Sequence, residues 1–316
     1  MSTHPVTVVA FGGNAMWPSG ERGTPAEQIA HAHAACHPLA SRIAAGERFV
    51  LVHGNGPQVG RELDRGFAAR ATIDPVPLDV YVAATQGTMG YYLEIALREA
   101  LRAAGAEARI ATLATLVRVD EADPAFQHPD KPIGPFYSES EAARIARERG
   151  ARFVEDAGRG HRQVVPSPRP IEVLDLGAIS ALLDTRHVVI AGGGGGIPVV
   201  REPSGALRGV EAVVDKDHTA ALIATMLRAR SLVDLTGVDF VYRDFGKPTQ
   251  AALRRLTLDE ALELHAAGQF PPGSMGPKIL AACAFLQAGG GEVLISSMRG
   301  LEKALSHELG TRMVPS

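Results

Sequence analysis

The sequence predicts an α/β fold with a mostly parallel sheet that is covered by helices on both faces. Short β-branched runs alternate with longer helical patterns along the chain, which is the order that parallel strands require. The 316 residues correspond to about two domains or one large α/β unit, and 46% of them are hydrophobic. The chain can therefore bury a sizeable core.

Each predicted element has a local signal. The first strand ends at Gly12-Gly13, and Thr24, Pro25 and Glu27 form the N-cap, first-turn proline and capping box of a helix. That helix is expected to run toward Gly46, with a kink or break at Pro38. The other predicted helices are 80–104, 219–229, 258–267 and 277–288. The predicted strands are 6–11, 48–53, 109–117, 187–191, 231–236 and 292–296.

Residues 123–170 differ in composition from the rest of the chain. They are rich in proline, glycine and charged residues, and they contain a short charged helix at 138–149. A flexible linker is one interpretation. The strand-like pieces at 151–154 and 162–165 favour an inserted subdomain or lid.

Composition excludes several classes of protein. A net charge of −3 argues against a general binder of nucleic acid or anionic membranes. Cys36 and Cys283 are too few for a disulfide scaffold or a multi-cysteine zinc site, and are compatible with a cytoplasmic location. The sequence contains no run of ~18 apolar residues, so it predicts no membrane span. The start of the sequence is predicted to be a strand and not a signal peptide.

Glycine-rich turns follow three predicted strands, at 12–13, 54–56 and 192–196. Ligands of open parallel sheets bind beyond the carboxyl ends of the strands, and glycine lets backbone N–H groups approach an anion. Glycine also makes tight turns, but three such turns favour anion binding. Neither the phosphate-loop pattern GxxxxGK[ST] nor the dinucleotide pattern GxGxxG is present, so neither of those classes is supported.

Three of the five lysines lie in turn-like contexts beside these loops, namely Lys131, Lys216 and Lys278. Solvated loop lysines are the ordinary explanation for each one alone. Together they indicate a clamp on a phosphate chain, because phosphoryl transfer relies on positioning and cationic stabilisation. Asp217 could hold two lysines apart, although Asp215 and Asp217 also suit a helix N-cap.

Two further features have an ordinary and a functional interpretation. His53, at a strand end, is expected to be a structural hydrogen-bonding group more often than a base. Gln86-Gly87 inside a predicted helix indicates either close helix packing or a subunit contact.

Taken together, these motifs resemble those of the carbamate kinases, within the amino acid kinase superfamily. The matching segments run from end to end of the chain and in order: AFGGNAM (10–16), HGNGPQVG (53–60), PLDV (77–80), QGTMGYYL (86–93), DPAFQHPDKPIGPFY (123–137), DAGRGHRQVVPSP (156–168), AGGGGGIPV (191–199), GVEAVVDKDHTAAL (209–222), GKP (246–248), PGSMGPK (272–278) and GTRMVP (310–315).

The resemblance implies a three-layer αβα sandwich around a mainly parallel central sheet. It implies a single domain over 1–316, with an acceptor-binding part at about 1–205, a nucleotide-binding part at about 206–316 and a protruding subdomain at about 125–169. Such proteins are homodimers that transfer a phosphoryl group between ATP and carbamate, giving ADP and carbamoyl phosphate. Mg²⁺ accompanies the nucleotide.

The resemblance also implies roles for individual residues. Catalysis falls to Lys131, Lys216, Asp217 and Lys278, and acceptor binding to Gly12, Gly13, Asn14, Gly54 and Asn55. Nucleotide binding falls to Gly194, Gly195, Lys216, Val238, Tyr242, Met275, Gly276 and Lys278. Gly237 stands where these proteins usually carry an acidic residue. The alternatives are a kinase for another small carboxylate or phosphate, and a nucleotide-binding sensor without catalysis.

Overall fold

The computed structural model describes residues 5–18, 20–107, 109–156, 158–271 and 273–316. Within these ranges the side chain of Asn14, one of the predicted acceptor-binding residues, lies outside the described part.

The helices and strands of the first part of the chain are β1 (Val6–Phe11), α1 (Gly13–Met16), α2 (Pro25–Cys36), α3 (Ala40–Ala44), β2 (Arg48–His53), α4 (Gly56–Ala69), α5 (Leu78–Ala103), β3 (Ile110–Thr112), β4 (Leu116–Arg118), β5 (Lys131–Tyr137), α6 (Glu139–Arg149), β6 (Arg152–Glu155), β7 (His161–Val165) and β8 (Glu172–Val173). Those of the second part are α7 (Leu176–Asp184), β9 (Val188–Ile190), β10 (Ile197–Arg201), β11 (Leu207–Gly209), α8 (Lys216–Met226), β12 (Ser231–Thr236), β13 (Val241–Arg243), β14 (Ala251–Leu253), β15 (Arg255–Thr257), α9 (Leu258–Ala266), α10 (Met275–Gln287), β16 (Glu292–Ser297), α11 (Leu301–Leu305) and β17 (Thr311–Val314).

The central sheet has the strand order β15-β17-β16-β12-β1-β2-β9-β3 and is parallel except between β16 and β17. Its strands are apolar on both sides, because helices cover both faces. In β1, Val8 and Ala10 face a core formed with α7, α8, α9 and α10. Val9 and Phe11 face the opposite core, formed with α2, α5 and α11. The structure thus confirms the three-layer αβα arrangement.

Strand register brings the glycine turns to one edge of this sheet. Phe11, the last residue of β1, pairs with His53 of β2 and with Leu235 of β12. The loops that follow these strands therefore begin side by side, and β9 with its glycine run lies next to β2. This is the edge at which open parallel sheets bind ligands.

A separate antiparallel sheet, β5-β7-β6, carries α6 and lies against α4. A Cβ added to Gly60 of α4 would lie 2.1 Å from the Cα of Gly134 in β5, so glycine is required for this contact. The Tyr137 hydroxyl donates to Asp64 Oδ2 at 2.6 Å, and Arg149 Nη1 donates to Asp64 Oδ1 at 2.7 Å. These contacts fix the small sheet to α4, in the segment where the sequence predicts a subdomain.

Most predicted elements match the structure within a few residues, including the capping box at Thr24 and the break of the helix near Pro38. The single strand predicted over 109–117 is wrong. It divides into β3 and β4, which belong to different sheets. The reason lies at Thr115, whose backbone N–H donates to the Gln86 side chain and not to a neighbouring strand.

Two smaller predictions can be compared with the fold. Cys36 and Cys283 are both buried and unpaired, and burial raises the pKa of the Cys283 thiol to about 11. Among the helices that the structure describes, none is both long and apolar enough to cross a membrane.

Candidate active site

The loops after β1 and β2 lie in direct contact. Gly54 N–H donates to the carbonyl of Phe11 at 2.7 Å. A Cβ on Gly54 would lie 2.5 Å from Gly13 N and 3.2 Å from Lys216 Cδ. Only glycine fits here, and its absence of a side chain leaves the backbone of both loops open toward the lysine.

Asn55 forms the floor of these loops and is 1% exposed. Its Nδ2 donates to Thr85 Oγ1 at 2.9 Å, and its Oδ1 has no hydrogen-bond partner among the described residues. Gly194 packs against the amide, since a Cβ there would lie 2.2 Å from Asn55 Nδ2. Gly194 also has a positive φ of 63°, so glycine satisfies both the backbone and the packing requirement.

Hydrogen bonds hold the glycine run against this floor. Gln86 Nε2 donates to the Gly193 carbonyl at 2.8 Å, and Thr219 Oγ1 donates to the Gly195 carbonyl at 2.7 Å. His53 lies under Gly193, where a Cβ would be 2.3 Å from its Nε2. Burial lowers the pKa of His53 to about 4, so the ring is neutral near pH 7 and serves as a structural group.

Two lysines and two aspartates form a buried cluster at the start of α8. Asp217 Oδ1 accepts from Lys216 Nζ, and Asp217 Oδ2 accepts from Lys278 Nζ at 3.1 Å. Asp234, from β12, lies 2.7 Å from Lys278 Nζ and 3.5 Å from Lys216 Nζ. Each lysine therefore contacts both carboxylates, which fixes the two ammonium groups beside each other.

The charges of this cluster depend on one another. Burial alone would raise the pKa of Asp217, but Lys216 and Lys278 more than offset it and hold that pKa below its usual range. Burial and the charge of Asp217 raise the pKa of Asp234. Burial would lower the pKa of Lys278, yet the two aspartates raise it above its usual value. The lysine is therefore cationic throughout the physiological range.

Lys131 enters the same region from the small sheet. Its Nζ donates to Asp215 Oδ2, and Asp215 Oδ1 caps α8 by accepting from Asp217 N at 2.8 Å. The N-cap role that the sequence left open between Asp215 and Asp217 thus belongs to Asp215. Three ammonium groups face three carboxylates here, so this part of the site is close to neutral.

The predicted nucleotide-binding residues divide into two groups. Met275 and Gly276 begin α10, and Lys278 lies in the same first turn, so these residues are adjacent to the cluster. Val238 is half-buried in the loop after β12. The Tyr242 ring packs against Phe240 and Phe245, with ring centroids 6.3 and 5.8 Å apart. Neither residue is among the hydrogen-bond or ion-pair partners that the described part of the chain provides to the lysines.

Sequence reasoning missed three residues that shape the site. Asp234 could have been suspected, because it is a single carboxylate inside the apolar strand β12. For Asp215 the sequence indicates only a helix cap. For Gln86 it indicates helix packing or a subunit contact, whereas the side chain joins the Thr115 loop to the glycine run.

Mg²⁺ favours oxygen ligands, and nucleotide enzymes usually hold it through one or two carboxylates together with substrate phosphates. Among the described residues, no group of three or more histidine, cysteine, aspartate or glutamate side chains could hold a metal ion. Asp217 and Asp234 supply carboxylate oxygens, but lysines already engage them. The donor set therefore fits a metal that phosphate oxygens would hold, with Asp217 and Asp234 supplying one or two further oxygen ligands at most.

Comparisons with known proteins identify the family of this chain. Residues 5–297 match the model of the amino acid kinase family. A carbamate kinase from Thermococcus kodakarensis is 42% identical over 310 residues, which cover 97% of this chain and 98% of that protein. A carbamate kinase from Staphylococcus epidermidis is 42% identical over 96% of this chain and 97% of its own length. The protein belongs to the amino acid kinase family.

Solved structures of carbamate kinase have the same fold as this chain. Carbamate kinase from Giardia lamblia bound to citric acid superposes with a TM-score of 0.95 at 38% identity, covering all of both chains. The same enzyme bound to AMP-PNP gives a TM-score of 0.90 at 39% identity, again over both complete chains. The relatives and solved structures named here are all carbamate kinases.

Proposed function

We propose that this protein is a carbamate kinase, which transfers a phosphoryl group reversibly between ATP and carbamate to give ADP and carbamoyl phosphate. The observation that carries the proposal is the meeting of Lys216 and Lys278 on Asp217, beside the open backbone of Gly54. The similarity to carbamate kinases over nearly the whole chain supports the choice of acceptor.

The chemistry needs positioning more than acid–base catalysis. Carbamate is an anion, so its oxygen can attack the γ-phosphorus without a general base while the bond to the β-phosphate oxygen breaks. The main obstacle is repulsion between two anions. Fixed ammonium groups and backbone N–H groups stabilise the charge on the migrating phosphoryl group without reorganising during the step.

Each group of residues has a place in this reaction. The loops containing Gly12, Gly13, Gly54 and Asn55 would hold the acceptor, with Asn14 beside them. Lys216 and Lys278 would contact the phosphates of the nucleotide, with Asp217 keeping them apart. Lys131 would reach the acceptor side of the migrating group.

The nucleotide would lie toward the C-terminal part of the chain. Met275 and Gly276 precede Lys278 in the first turn of α10 and would approach the phosphates. Gly194 and Gly195 would border them from the glycine run, and Val238 and Tyr242 would contact the nucleoside. The Giardia lamblia relative has been solved bound to AMP-PNP, which supports a nucleotide site. Mg²⁺ bound with the nucleotide would supply positive charge to the phosphate oxygens.

Turnover in both directions tests the function. Purified protein with Mg²⁺ should form ADP from ATP and carbamate, and ATP from ADP and carbamoyl phosphate. Acetate, glutamate, aspartate and inorganic phosphate serve as alternative acceptors. Turnover with one of these and not with carbamate would identify another member of the family, and nucleotide binding without any turnover would identify a sensor.

We also propose a homodimer that forms through α5. Val80, Ala84, Gly87 and Tyr91 are exposed along one face of this helix at helical spacing, and Val80 and Tyr91 are 44% and 58% exposed. Within the described part of the chain, no side chain lies within 4 Å of a Cβ added to Gly87, so this glycine leaves room for a neighbouring helix. Tyr91→Glu should convert the dimer to a monomer in sedimentation equilibrium. An unchanged mass would contradict this interface.

A cytoplasmic location stays a prediction.

A further inference from the structure

Asp215 uses its two carboxylate oxygens for two different purposes. Oδ1 accepts from Asp217 N at 2.8 Å and caps α8, while Oδ2 accepts from Lys131 Nζ. A helix cap requires only one oxygen, and serine or asparagine provides it as well as aspartate does. The cap alone therefore does not explain why a charged residue stands here.

The second contact joins two parts of the site that the backbone does not join directly. Lys131 is the first residue of β5 in the small sheet, whereas Asp215 precedes α8 in the main body. Through this ion pair, the lysine ammonium lies at the same helix start as Lys216 and Asp217. Asp217 in turn interacts electrostatically with Lys131.

Lys131 has few other restraints. Its side chain is 26% exposed, compared with 10% for Lys216 and 12% for Lys278. Among the described residues its one ion pair is with Asp215, whereas each of the other two lysines contacts two carboxylates. A lysine side chain with several rotatable bonds loses much entropy when it is ordered. The pair with Asp215 offsets part of that cost before the substrate arrives.

We propose that Asp215 is a positioning residue, which holds the ammonium of Lys131 at the start of α8. The migrating phosphoryl group then replaces Asp215 as the partner of Lys131. This inference rests on the proposed function, because it assigns to Asp215 the preparation of Lys131 for that transfer. In this role Asp215 does not act on the reacting atoms. It acts through the lysine alone.

A double-mutant cycle tests this role. Asp215→Ser keeps an N-cap oxygen but its short side chain cannot reach Lys131, and Lys131→Met removes the cation. Asp215→Ser is expected to lower kcat for ATP formation about tenfold, which corresponds to the ordering entropy of one lysine side chain. In the Lys131→Met background the same substitution is expected to change kcat less than twofold. Equal losses in both backgrounds would overturn the proposal, because they would show a role independent of Lys131.

A second measurement does not depend on turnover. The rate at which trinitrobenzenesulfonate labels Lys131, followed by mass spectrometry, should rise several-fold in Asp215→Ser, while labelling of exposed Lys303 stays constant. Unchanged labelling of Lys131 would overturn the proposal. If wild-type protein shows no turnover, the proposed function fails, and the labelling result still decides the positioning.

Stability controls separate this role from the cap. Asp215→Asn and Asp215→Ser should melt close to wild type, since both cap α8, whereas Asp215→Ala should melt lower. If Asp215→Ser fails to fold, Asp215→Asn replaces it in both experiments, with the same direction of change expected because the neutral amide holds an ammonium more weakly. No rise in labelling and no loss of kcat in Asp215→Asn would then overturn the proposal.

Discussion

The lysines of the site are held in two different ways. Lys216 and Lys278 lie in a buried cluster in which each ammonium contacts both Asp217 and Asp234. Lys131 extends from the small sheet, is more exposed, and pairs with Asp215. The first arrangement belongs to the main body of the fold, and the second bridges two parts of it.

The difference shows how one site can be both fixed and responsive. A charge that leaves water is costly unless good partners replace its hydration. The buried cluster meets that requirement without substrate, so its geometry is set by folding. A single pair at a partly solvated position is held weakly, so Lys131 can exchange one anionic partner for another.

The largest effect should come from breaking the buried cluster. Asp217→Asn leaves Lys216 and Lys278 with Asp234 as their one shared anion. We expect a loss of about 3–5 kcal/mol in the free energy of unfolding, because a buried charge loses its partner, and a fall in kcat of at least ~100-fold. Urea denaturation and the coupled assay measure the two effects. Asp74→Asn, at an exposed loop carboxylate, should leave both unchanged. A stable and active Asp217→Asn would contradict the account.

Removing one lysine from each arrangement tests the comparison directly. Lys131→Ala and Lys278→Ala should each lower kcat about 10²–10³-fold, since each removes a cation that acts on charge at the transition state. Only Lys278→Ala should also reduce stability strongly, since it leaves Asp217 and Asp234 with Lys216 alone. Lys303→Ala is the control at an exposed position. If KM rose while kcat stayed constant, the two lysines would bind substrate without stabilising the transition state.

The stability of the protein should depend on pH through His53, whose ring lies under Gly193 of the glycine run. Its pKa in the folded protein is about 4 against an ordinary value of 6.5, so the unfolded chain binds the proton first as the pH falls. Stability is therefore lost as pH falls between these values. Between pH 7 and pH 4, wild type should lose about 3 kcal/mol more than His53→Gln. His128→Gln, at an exposed ring, should behave like wild type, and identical pH profiles for all three proteins would show that His53 is not buried as described.

A smaller effect is expected at the glycine run. Gly194 and Gly158 both have positive φ angles, 63° and 74°, but among the described residues only Gly194 of these two packs against a side chain, that of Asn55. Gly158→Ala should cost about 1–2 kcal/mol from backbone strain. Gly194→Ala should cost about 1–3 kcal/mol more, because it displaces the Asn55 amide, and it alone should weaken turnover. Equal losses in chemical denaturation would mean that the Asn55 contact contributes nothing.

Much of the fold follows from local sequence patterns. The strands that precede glycine turns and the helix with the Thr24 capping box are determined by short-range chemistry, so they could be predicted closely. The division of residues 109–117 into two strands could not. It depends on the Gln86 side chain, which approaches Thr115 from a helix far along the chain.

The same distinction applies to the site. Lys131, Lys216 and Lys278 stand out in the sequence because each has a turn-like context beside a glycine loop. The structure places them at the start of β5, at the start of α8 and in the first turn of α10. Asp234 is hidden within an apolar strand, and its importance depends on α10 packing against β12, which brings Lys278 Nζ to 2.7 Å from Asp234 Oδ1. The second role of Asp215 depends on where the small sheet places Lys131. Partnerships between distant segments are set by tertiary packing, which the local pattern does not encode.

We expect Lys131, Lys216 and Lys278 to act on one migrating phosphoryl group. A crystal structure of the protein with Mg²⁺, ADP and aluminium fluoride, a planar mimic of that group, tests it most directly. The Nζ atoms of all three lysines should lie within ~3 Å of the mimic or of the phosphate oxygens next to it, with Lys131 turned from Asp215 toward the mimic. A mimic bound between the glycine loops with Lys131 still on Asp215, or with either buried lysine facing away, would contradict it.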